Sequence, residues 1–329
     1  MTVTLKPFRI GDIEVRLPVV LAALAGYSDL PYRLLCRRMG APFATTEMML
    51  DRYVLLAGKY RKIMAATTDE DHPVVGQIIG NEPDVMASAA VELCRMGFDA
   101  VDLNFACPVN KALRRRRGGF LMSQPRLALD ITRAVLSAVD RPVVLKLRRN
   151  FRRADDDTDF WQIAEGALDA GAAALTVHAR SVEQKYAGPA DWQFLADVKR
   201  RFGDRTILGS GDVHDARSAL EMLERTGVDA ATAARGALGN PWLFRQVIEL
   251  AAGQEPRAPT LAEQREVMRA HFDAAVEFYG PLKGPKVMRG FGIRYARLHP
   301  TPKKIRVAFV EVKRPDDWQR VLEEFYSPQ

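Results

Sequence analysis

The alternation of short β-branched apolar runs with longer helical stretches constrains the fold of this chain more than any other feature. Eight runs have the length and composition of buried parallel strands. They are PVVLAAL (18–24), FATTE (43–47), VVGQIIG (74–80), AVDLN (100–104), VVLKL (143–147), ALTVH (174–178), TILGS (206–210) and DAATAA (229–234). Eight strands joined by helices match a (β/α)8 TIM barrel, whereas a doubly wound sheet of this length usually has about five or six strands.

The two ends of the chain depart from this repeat. Residues 8–18 (FRIGDIEVRLP) predict a short hairpin that covers the bottom of the barrel. The strand pattern stops near residue 247, the segment GQEPRAPT (253–260) has the composition of a linker, and residues 261–280 have helical spacing. We therefore expect a barrel domain over residues 1–250 and a small helical domain over residues 258–329.

Composition excludes several classes of protein. No segment approaches the roughly 20 apolar residues that span a bilayer, and the first residues lack the pattern of a signal peptide, so we expect a cytoplasmic protein without membrane association. The three cysteines (Cys36, Cys94 and Cys107) are widely spaced, and the five histidines have no metal-binding spacing. Neither a disulfide framework nor a metal site is expected. Nothing in the sequence indicates an oligomeric state.

Positive charge is concentrated near the C-terminus. The whole chain has a net charge of +7, which suggests an anionic partner without identifying it. The segment between Lys283 and Arg314, however, contains ten lysines and arginines and a single acidic residue, Glu311. This basic segment alone therefore carries a net charge of +9. The predicted helical domain is therefore the expected contact surface for a polyanion.

The active site of a TIM barrel lies at the C-terminal ends of its strands. Two loops that contain glycine, GSGD (209–212) and ARGALGNPW (234–242), follow the seventh and eighth strands. Barrels commonly hold a phosphate group there with backbone N–H groups and a helix N-terminus. Either loop alone is equally well explained as a tight turn, but the pair favours a ligand that carries a phosphate.

Three further residues at the strand ends are candidates for chemistry. Lys146 and His178 end the fifth and sixth strands, where a cation stabilises negative charge on a bound ring and a histidine donates to a carbonyl or phosphate. Cys107 follows the fourth strand, where a thiol serves as nucleophile or as general acid. The alternatives are rim residues without a catalytic role and a buried, inert cysteine.

Three motifs identify a resemblance to a known family. LNFACPVNK (103–111), VHARSVEQKYAGPADW (177–192) and RGALGNPWLF (235–244) resemble the signatures of the tRNA-dihydrouridine synthases, which are flavin enzymes built on a TIM barrel followed by a helical domain. The resemblance implies an enzyme that uses FMN and NADPH to reduce the C5–C6 bond of specific tRNA uridines. It implies hydride transfer from reduced FMN to C6 and proton transfer from Cys107 to C5.

The same resemblance assigns the other site residues. Those implied to bind the cofactor are Ala23, Leu24, Gln77, Lys146, His178, Ser210, Gly211, Asp212, Ala234, Arg235 and Gly236. Those implied to bind the substrate are Asn104, Arg148, Arg180 and Tyr186. In addition, we expect Arg114, Arg115, Arg116 and Arg117 to contact RNA phosphates beside Cys107, although a run of charges is often only a solvated surface.

Three differences from the family pattern lie around the expected flavin pocket. Ala23-Leu24 replaces Pro-Met, Ser210 replaces Asn, and Ala234 replaces Gly. They leave two other interpretations open: a non-catalytic RNA-binding barrel, or a flavin oxidoreductase that acts on a small molecule. The basic segment argues against a small substrate. The presence of Cys107, Asn104, Lys146 and His178 together argues against a full loss of catalysis.

Overall fold

The computed structural model describes residues 4–154 and 156–327, so the predicted domain limits at residues 1 and 329 lie outside the described residues. The strands in these ranges are β1 Phe8–Ile10, β2 Ile13–Val15, β3 Val19–Leu21, β4 Ala44–Thr45, β5 Met49–Leu50, β6 Val74–Ile79, β7 Ala100–Asn104, β8 Val143–Arg148, β9 Ala174–His178, β10 Ile207–Ser210 and β11 Ala230–Ala233.

A closed parallel barrel forms the centre of the molecule. Strands β6 to β11 pair in sequence order, β11 pairs with β3, β3 with β4, and β4 with β6, which closes the sheet. The predicted TIM barrel is confirmed, since each of the eight predicted runs covers all or most of one of its strands. The short strand β5 was not predicted, because two residues that pair with the end of β6 show no periodicity in the sequence.

The predicted hairpin fills the bottom of the barrel. Strands β1 and β2 pair antiparallel, and Phe8, Ile10 and Val15 are buried in one apolar cluster with residues from the lower parts of the barrel strands. These residues are Val20, Val75, Ala100, Val144, Ala174, Leu208 and Ala230. Because this end is packed with side chains, a ligand site in the barrel must open at the carboxyl ends of the strands.

Helices surround the barrel and continue beyond it. They are α1 Leu30–Arg38, α2 Asp51–Leu55, α3 Lys59–Met64, α4 Pro83–Arg95, α5 Asn110–Leu113, α6 Pro125–Ala138, α7 Thr158–Asp169, α8 Trp192–Phe202, α9 Ala216–Thr226, α10 Leu243–Ala251, α11 Leu261–Tyr279, α12 Gly284–Tyr295, α13 Pro302–Val310 and α14 Pro315–Phe325. Helices α4 and α6 begin at a proline, whose fixed φ suits the first turn. None of the described helices is both long and apolar enough to cross a membrane.

The C-terminal helices pack beside the loop that follows β3. The Tyr279 hydroxyl of α11 donates a hydrogen bond of 2.8 Å to the Asp29 carboxylate, and the Tyr27 ring meets Phe291 of α12 edge to face at 5.2 Å. Burial raises the pKa of Asp29 to about 6. These contacts hold the helical segment next to the mouth of the barrel, while its independence as a domain over residues 258–329 stays a prediction.

Candidate active site

A cavity of about 200 Å³ opens at the carboxyl ends of the barrel strands. It brings together most of the predicted site residues, namely Ala23, Leu24, Gln77, Asn104, Cys107, Lys146, Arg148, His178, Tyr186, Ser210, Gly211, Asp212, Ala234 and Arg235. The three positions that differ from the family pattern are therefore in its wall. Outside the lining are Arg180, Gly236, Arg114, Arg115, Arg116 and Arg117.

The cavity wall also contains residues that were not predicted from the sequence. They include Met48, Val109, Thr232 and His214. Thr232 lies inside strand β11, and its hydroxyl donates to the Gly209 carbonyl at 3.0 Å. Only the alternation of inward and outward side chains along a strand could have indicated its position.

The loop after β7 holds Cys107 in a defined turn. The Asn104 side-chain Oδ1 accepts hydrogen bonds from the backbone N–H of Cys107 at 2.9 Å and of Ala106 at 3.1 Å. The N–H of Gly119 donates to the Cys107 carbonyl at 2.9 Å. Gly118 has a φ of +60°, and a Cβ there would lie 2.8 Å from the Cys107 Cβ, so only glycine fits this close approach.

The environment of Cys107 favours the protonated thiol. Its side chain is buried, and burial raises the pKa of the thiol, although the Arg148 guanidinium opposes part of that shift. A thiol that keeps its proton is a poorer nucleophile but a competent proton donor. Of the two roles considered from sequence, the structure therefore suits the general acid better.

A chain of polar side chains orients Asn104. The Asp102 carboxylate accepts from Gln77 Nε2 at 2.7 Å, and Gln77 Oε1 accepts from Asn104 Nδ2 at 2.7 Å. Because an ionised carboxylate only accepts hydrogen bonds, it fixes the direction of both amides. Burial raises the pKa of Asp102 to about 6. Asp102 was not predicted from the sequence. Its hydrogen bond to Gln77 leaves the Asn104 side chain occupied mainly by protein partners, and the predicted uracil contact stays a prediction.

The neighbouring part of the cavity wall, where Lys146 on β8 pairs in register with Asn104 on β7, is positively charged. The ammonium group of Lys146 makes no hydrogen bond or ion pair to any described residue, and burial lowers its pKa to about 8. Burial also lowers the pKa of His178 well below its usual value, and the neighbouring Arg148 and Lys146 act in the same direction. His178 is therefore neutral near pH 7 and can accept as well as donate a hydrogen bond.

Arg148 is buried and connects two loops at the mouth. Its Nε donates to the Ala106 carbonyl at 2.9 Å, and its Nη1 donates to the carbonyls of Ser181 and Lys185 at 2.8 Å each. Tyr186, which is 57% exposed, lies under the Arg148 guanidinium at 5.6 Å. Arg148 thus fixes the loop after β9 beside Cys107 and still lines the cavity.

Arg180 is also buried, and its guanidinium is used within the protein. It donates to the Gly188 carbonyl at 3.1 and 2.7 Å and to the Asp212 carboxylate at 2.5 Å. Asp212 also accepts from the Ala190 N–H at 2.7 Å, so its carboxylate orders neighbouring loops. The predicted contacts of Arg180 with substrate and of Asp212 with cofactor remain predictions.

The loops after β10 and β11 form a cradle for an anion. The backbone N–H groups of Gly211, Arg235 and Gly236 have no acceptor among the described residues. Gly211 has a φ of +118°, and a Cβ on Gly236 would lie 2.4 Å from the Val213 carbonyl oxygen, so the two loops touch through backbone alone. Unpaired N–H groups are the donors that a phosphate monoester requires, and the same loop carries the Arg235 guanidinium, which lies over the Tyr186 ring at 4.8 Å. This arrangement fits the predicted phosphate site.

The four consecutive arginines do not act as one cluster. Arg117 donates to the Asn81 side chain at 3.3 Å, and Arg116 lies over the Phe120 ring at 5.4 Å. Arg114 and Arg115 are exposed at the end of α5 and pair with no side chain of the described ranges. Only these last two are free to bind an external anion without breaking an internal contact.

The chain is similar to known proteins along nearly its whole length. The family model described as dihydrouridine synthase (Dus) matches residues 20–327. A probable tRNA-dihydrouridine synthase of Rickettsia prowazekii is 34% identical over 323 residues, which cover 97% of both chains. The tRNA-dihydrouridine synthase B of Pseudomonas aeruginosa is 31% identical over 320 residues, which cover 97% of this chain and 96% of that protein.

Solved structures resemble the chain in fold. A 2-naphthoyl-CoA reductase complex matches 76% of this chain with a TM-score of 0.58 and 15% identity. Histamine dehydrogenase from Rhizobium sp. 4-9 matches 82% with a TM-score of 0.57 and 12% identity. The chain spans about half the length of these two structures, 52% and 50%. At this identity the likeness establishes the barrel architecture alone.

Proposed function

The chain belongs to the dihydrouridine synthase family, and from that premise we propose that it is an FMN-dependent tRNA-dihydrouridine synthase that uses NADPH to reduce the C5–C6 bond of specific tRNA uridines. One observation carries the proposal: a single cavity combines a buried thiol, an unpaired lysine and an anion cradle. A redox cofactor with a phosphate tail and a substrate that needs a proton would use all three.

The chain's own groups divide the work of holding FMN. The N–H groups of Gly211, Arg235 and Gly236 would bind its phosphate, and Lys146 would place a positive charge beside the electron-rich edge of its ring system. When bound, FMN supplies the redox chemistry that carries electrons from NADPH to the uridine. The small side chains of Ala23, Ser210 and Ala234 leave the wall of the cavity open for such a ligand.

Cys107 would complete the reduction as the general acid. Its Sγ–H bond breaks as a C–H bond forms at C5 of the uridine, and the sulfur keeps the electron pair. The Arg148 guanidinium lies close enough to lower the pKa of the thiol, so it stabilises the thiolate that remains. The turn fixed by Asn104 holds the sulfur in place during the transfer, which is the positioning that proton transfer requires.

The surface of the helical segment supports tRNA as the substrate. All ten lysines and arginines of the basic segment are exposed. Among the described residues, a carboxylate lies within 4 Å of just one of these side chains: Glu324 is 3.8 Å from the Lys304 ammonium group. A uridine must leave its stack to reach the cavity, which costs a few kcal/mol, and phosphate contacts on this surface would offset that cost.

The visible absorption spectrum of the purified protein tests the proposal. We expect a flavin spectrum that survives removal of unbound FMN, bleaches with NADPH and returns when tRNA is added without oxygen. Free uridine and a small enoate, each with a reducible C=C bond, serve as controls. A protein that stays colourless after incubation with FMN would contradict the cofactor and favour a non-catalytic RNA-binding barrel, whereas a return of colour with the small molecules alone would contradict tRNA as the substrate.

Arg114 and Arg115 are expected to contribute to tRNA affinity. The double change Arg114→Ser/Arg115→Ser should weaken binding and reduce the slope of log affinity against log salt by about 1.5, since each lost phosphate contact accounts for roughly 0.7–0.9. The measurement is filter binding over a range of salt concentrations. Arg141→Ser/Arg205→Ser is the matched control, because both side chains are exposed at the opposite end of the barrel. Equal slopes for the two double variants would refute the contact.

A further inference from the structure

The loop after β11 is held from the side of the helical segment. The Arg297 guanidinium donates hydrogen bonds to the carbonyl oxygens of both Arg235 and Gly236. The Tyr32 hydroxyl donates to the next carbonyl, that of Ala237. Three successive carbonyl groups of the anion cradle are therefore fixed by two side chains that do not line the cavity.

These contacts determine where the unpaired N–H groups point. A trans peptide unit is planar, with its carbonyl and its N–H on opposite sides. The Arg235 carbonyl and the Gly236 N–H belong to one such unit, so holding the oxygen with Arg297 aims the Gly236 N–H the opposite way. A positively charged donor also polarises the peptide and strengthens its N–H as a donor to an anion.

The backbone of the loop is also packed closely on both sides. A Cβ on Gly236 would lie 2.4 Å from the Val213 carbonyl oxygen. Gly239, at a φ of +69°, approaches the helical segment so closely that a Cβ would lie 2.4 Å from the Arg294 carbonyl carbon. The backbone of the loop therefore lies between a barrel loop and α12. Arg297 belongs to the 3-10 turn Ala296–Leu298, directly after α12. Its charged side chain reaches the carbonyl groups of the loop.

We propose that Arg297 is a positioning residue for the phosphate cradle, so that a residue of the basic segment sets the affinity of the barrel for the phosphate of its cofactor. This inference rests on the proposed FMN site. It separates Arg297 from the other cations of the segment: its guanidinium serves the cofactor loop, while its neighbours are free for RNA.

The experiment compares two flavins that differ only in the phosphate. Full-length protein stripped of bound flavin is titrated with FMN and with riboflavin, and binding is followed by quenching of flavin fluorescence. Arg297→Met should weaken FMN binding about 10- to 100-fold, the range for loss of a hydrogen bond from a charged group, and leave riboflavin binding unchanged. Arg297→Lys, which keeps the charge but not the two-pronged geometry, should fall between wild type and Arg297→Met.

Arg294→Met is the matched control. Arg294 is exposed and lies over the Tyr27 ring at 5.8 Å, and its side chain does not contact the cradle, so FMN affinity should not change. Equal weakening of FMN and riboflavin in Arg297→Met, or no change in either, would overturn the inference. A wild-type protein that binds neither flavin would instead overturn the proposed function. If Arg297→Met does not fold, as judged by its thermal unfolding transition, the ratio of the two affinities in Arg297→Lys decides.

Discussion

Cys107→Ala is expected to lower the rate of uridine reduction in tRNA by about 10²- to 10⁴-fold, the usual contribution of a positioned general acid. The thiol is buried, its pKa is raised by that burial, and its backbone is fixed by Asn104, so the change removes a proton donor that is held in one position. Single-turnover conversion of tRNA by enzyme already reduced with NADPH measures the step directly.

The experiment separates proton transfer to the uridine from reduction of the flavin by NADPH. Bleaching of the flavin by NADPH should be unchanged in Cys107→Ala, because that step needs no proton from the thiol. Cys94→Ala provides the matched control: Cys94 is partly buried on α4, outside the cavity, and its removal should leave the rate intact. Wild-type turnover in Cys107→Ala would show that another group protonates C5.

Lys146→Met is expected to slow bleaching of the bound flavin by NADPH about 10²- to 10³-fold, the typical loss when one preorganised electrostatic contact is removed. The lysine is unpaired in the cavity, and burial lowers its pKa to about 8. The ammonium group is therefore charged below that pH and neutral above it. In the wild type, the bleaching rate should fall as the pH rises through about 8.

The pH profile distinguishes an electrostatic role of Lys146 from a structural one. Lys146→Met should be slow at every pH and should lose the decline near pH 8, whereas a merely structural role would lower the rate and keep the decline. Lys111→Met, which removes an exposed lysine outside the cavity, should behave as the wild type. A wild-type rate that does not change between pH 7 and pH 9 would contradict the assignment.

The fold was predictable because each barrel strand is a local pattern. Runs such as VVGQIIG (74–80) indicate a buried strand without reference to the rest of the chain. Eight such strands are compatible with few fold architectures. The cavity was predictable to the same extent, because residues at strand ends meet in any such barrel. Cys107, Lys146 and His178 were therefore found from their positions alone.

What the sequence did not predict depends on register and on long-range contacts. Asp102 acts on Gln77 because β6 and β7 pair with these two residues opposite each other, and no local pattern reports that pairing. The Arg297 contact joins residues that are 61 and 62 positions apart. The charge of the four consecutive arginines is evident in the sequence. The contacts of Arg116 and Arg117 with Phe120 and Asn81 are not, because they depend on the folded structure.

The hairpin at the bottom of the barrel also determines where a ligand can enter. In the part of the chain that the structure describes, Phe8, Ile10 and Val15 plug the lower end, so the upper mouth is left as the passage to the cavity. In the proposed reaction, NADPH and the flipped-out base would both enter through this same mouth, and the flavin would hold the reducing equivalents between the two steps.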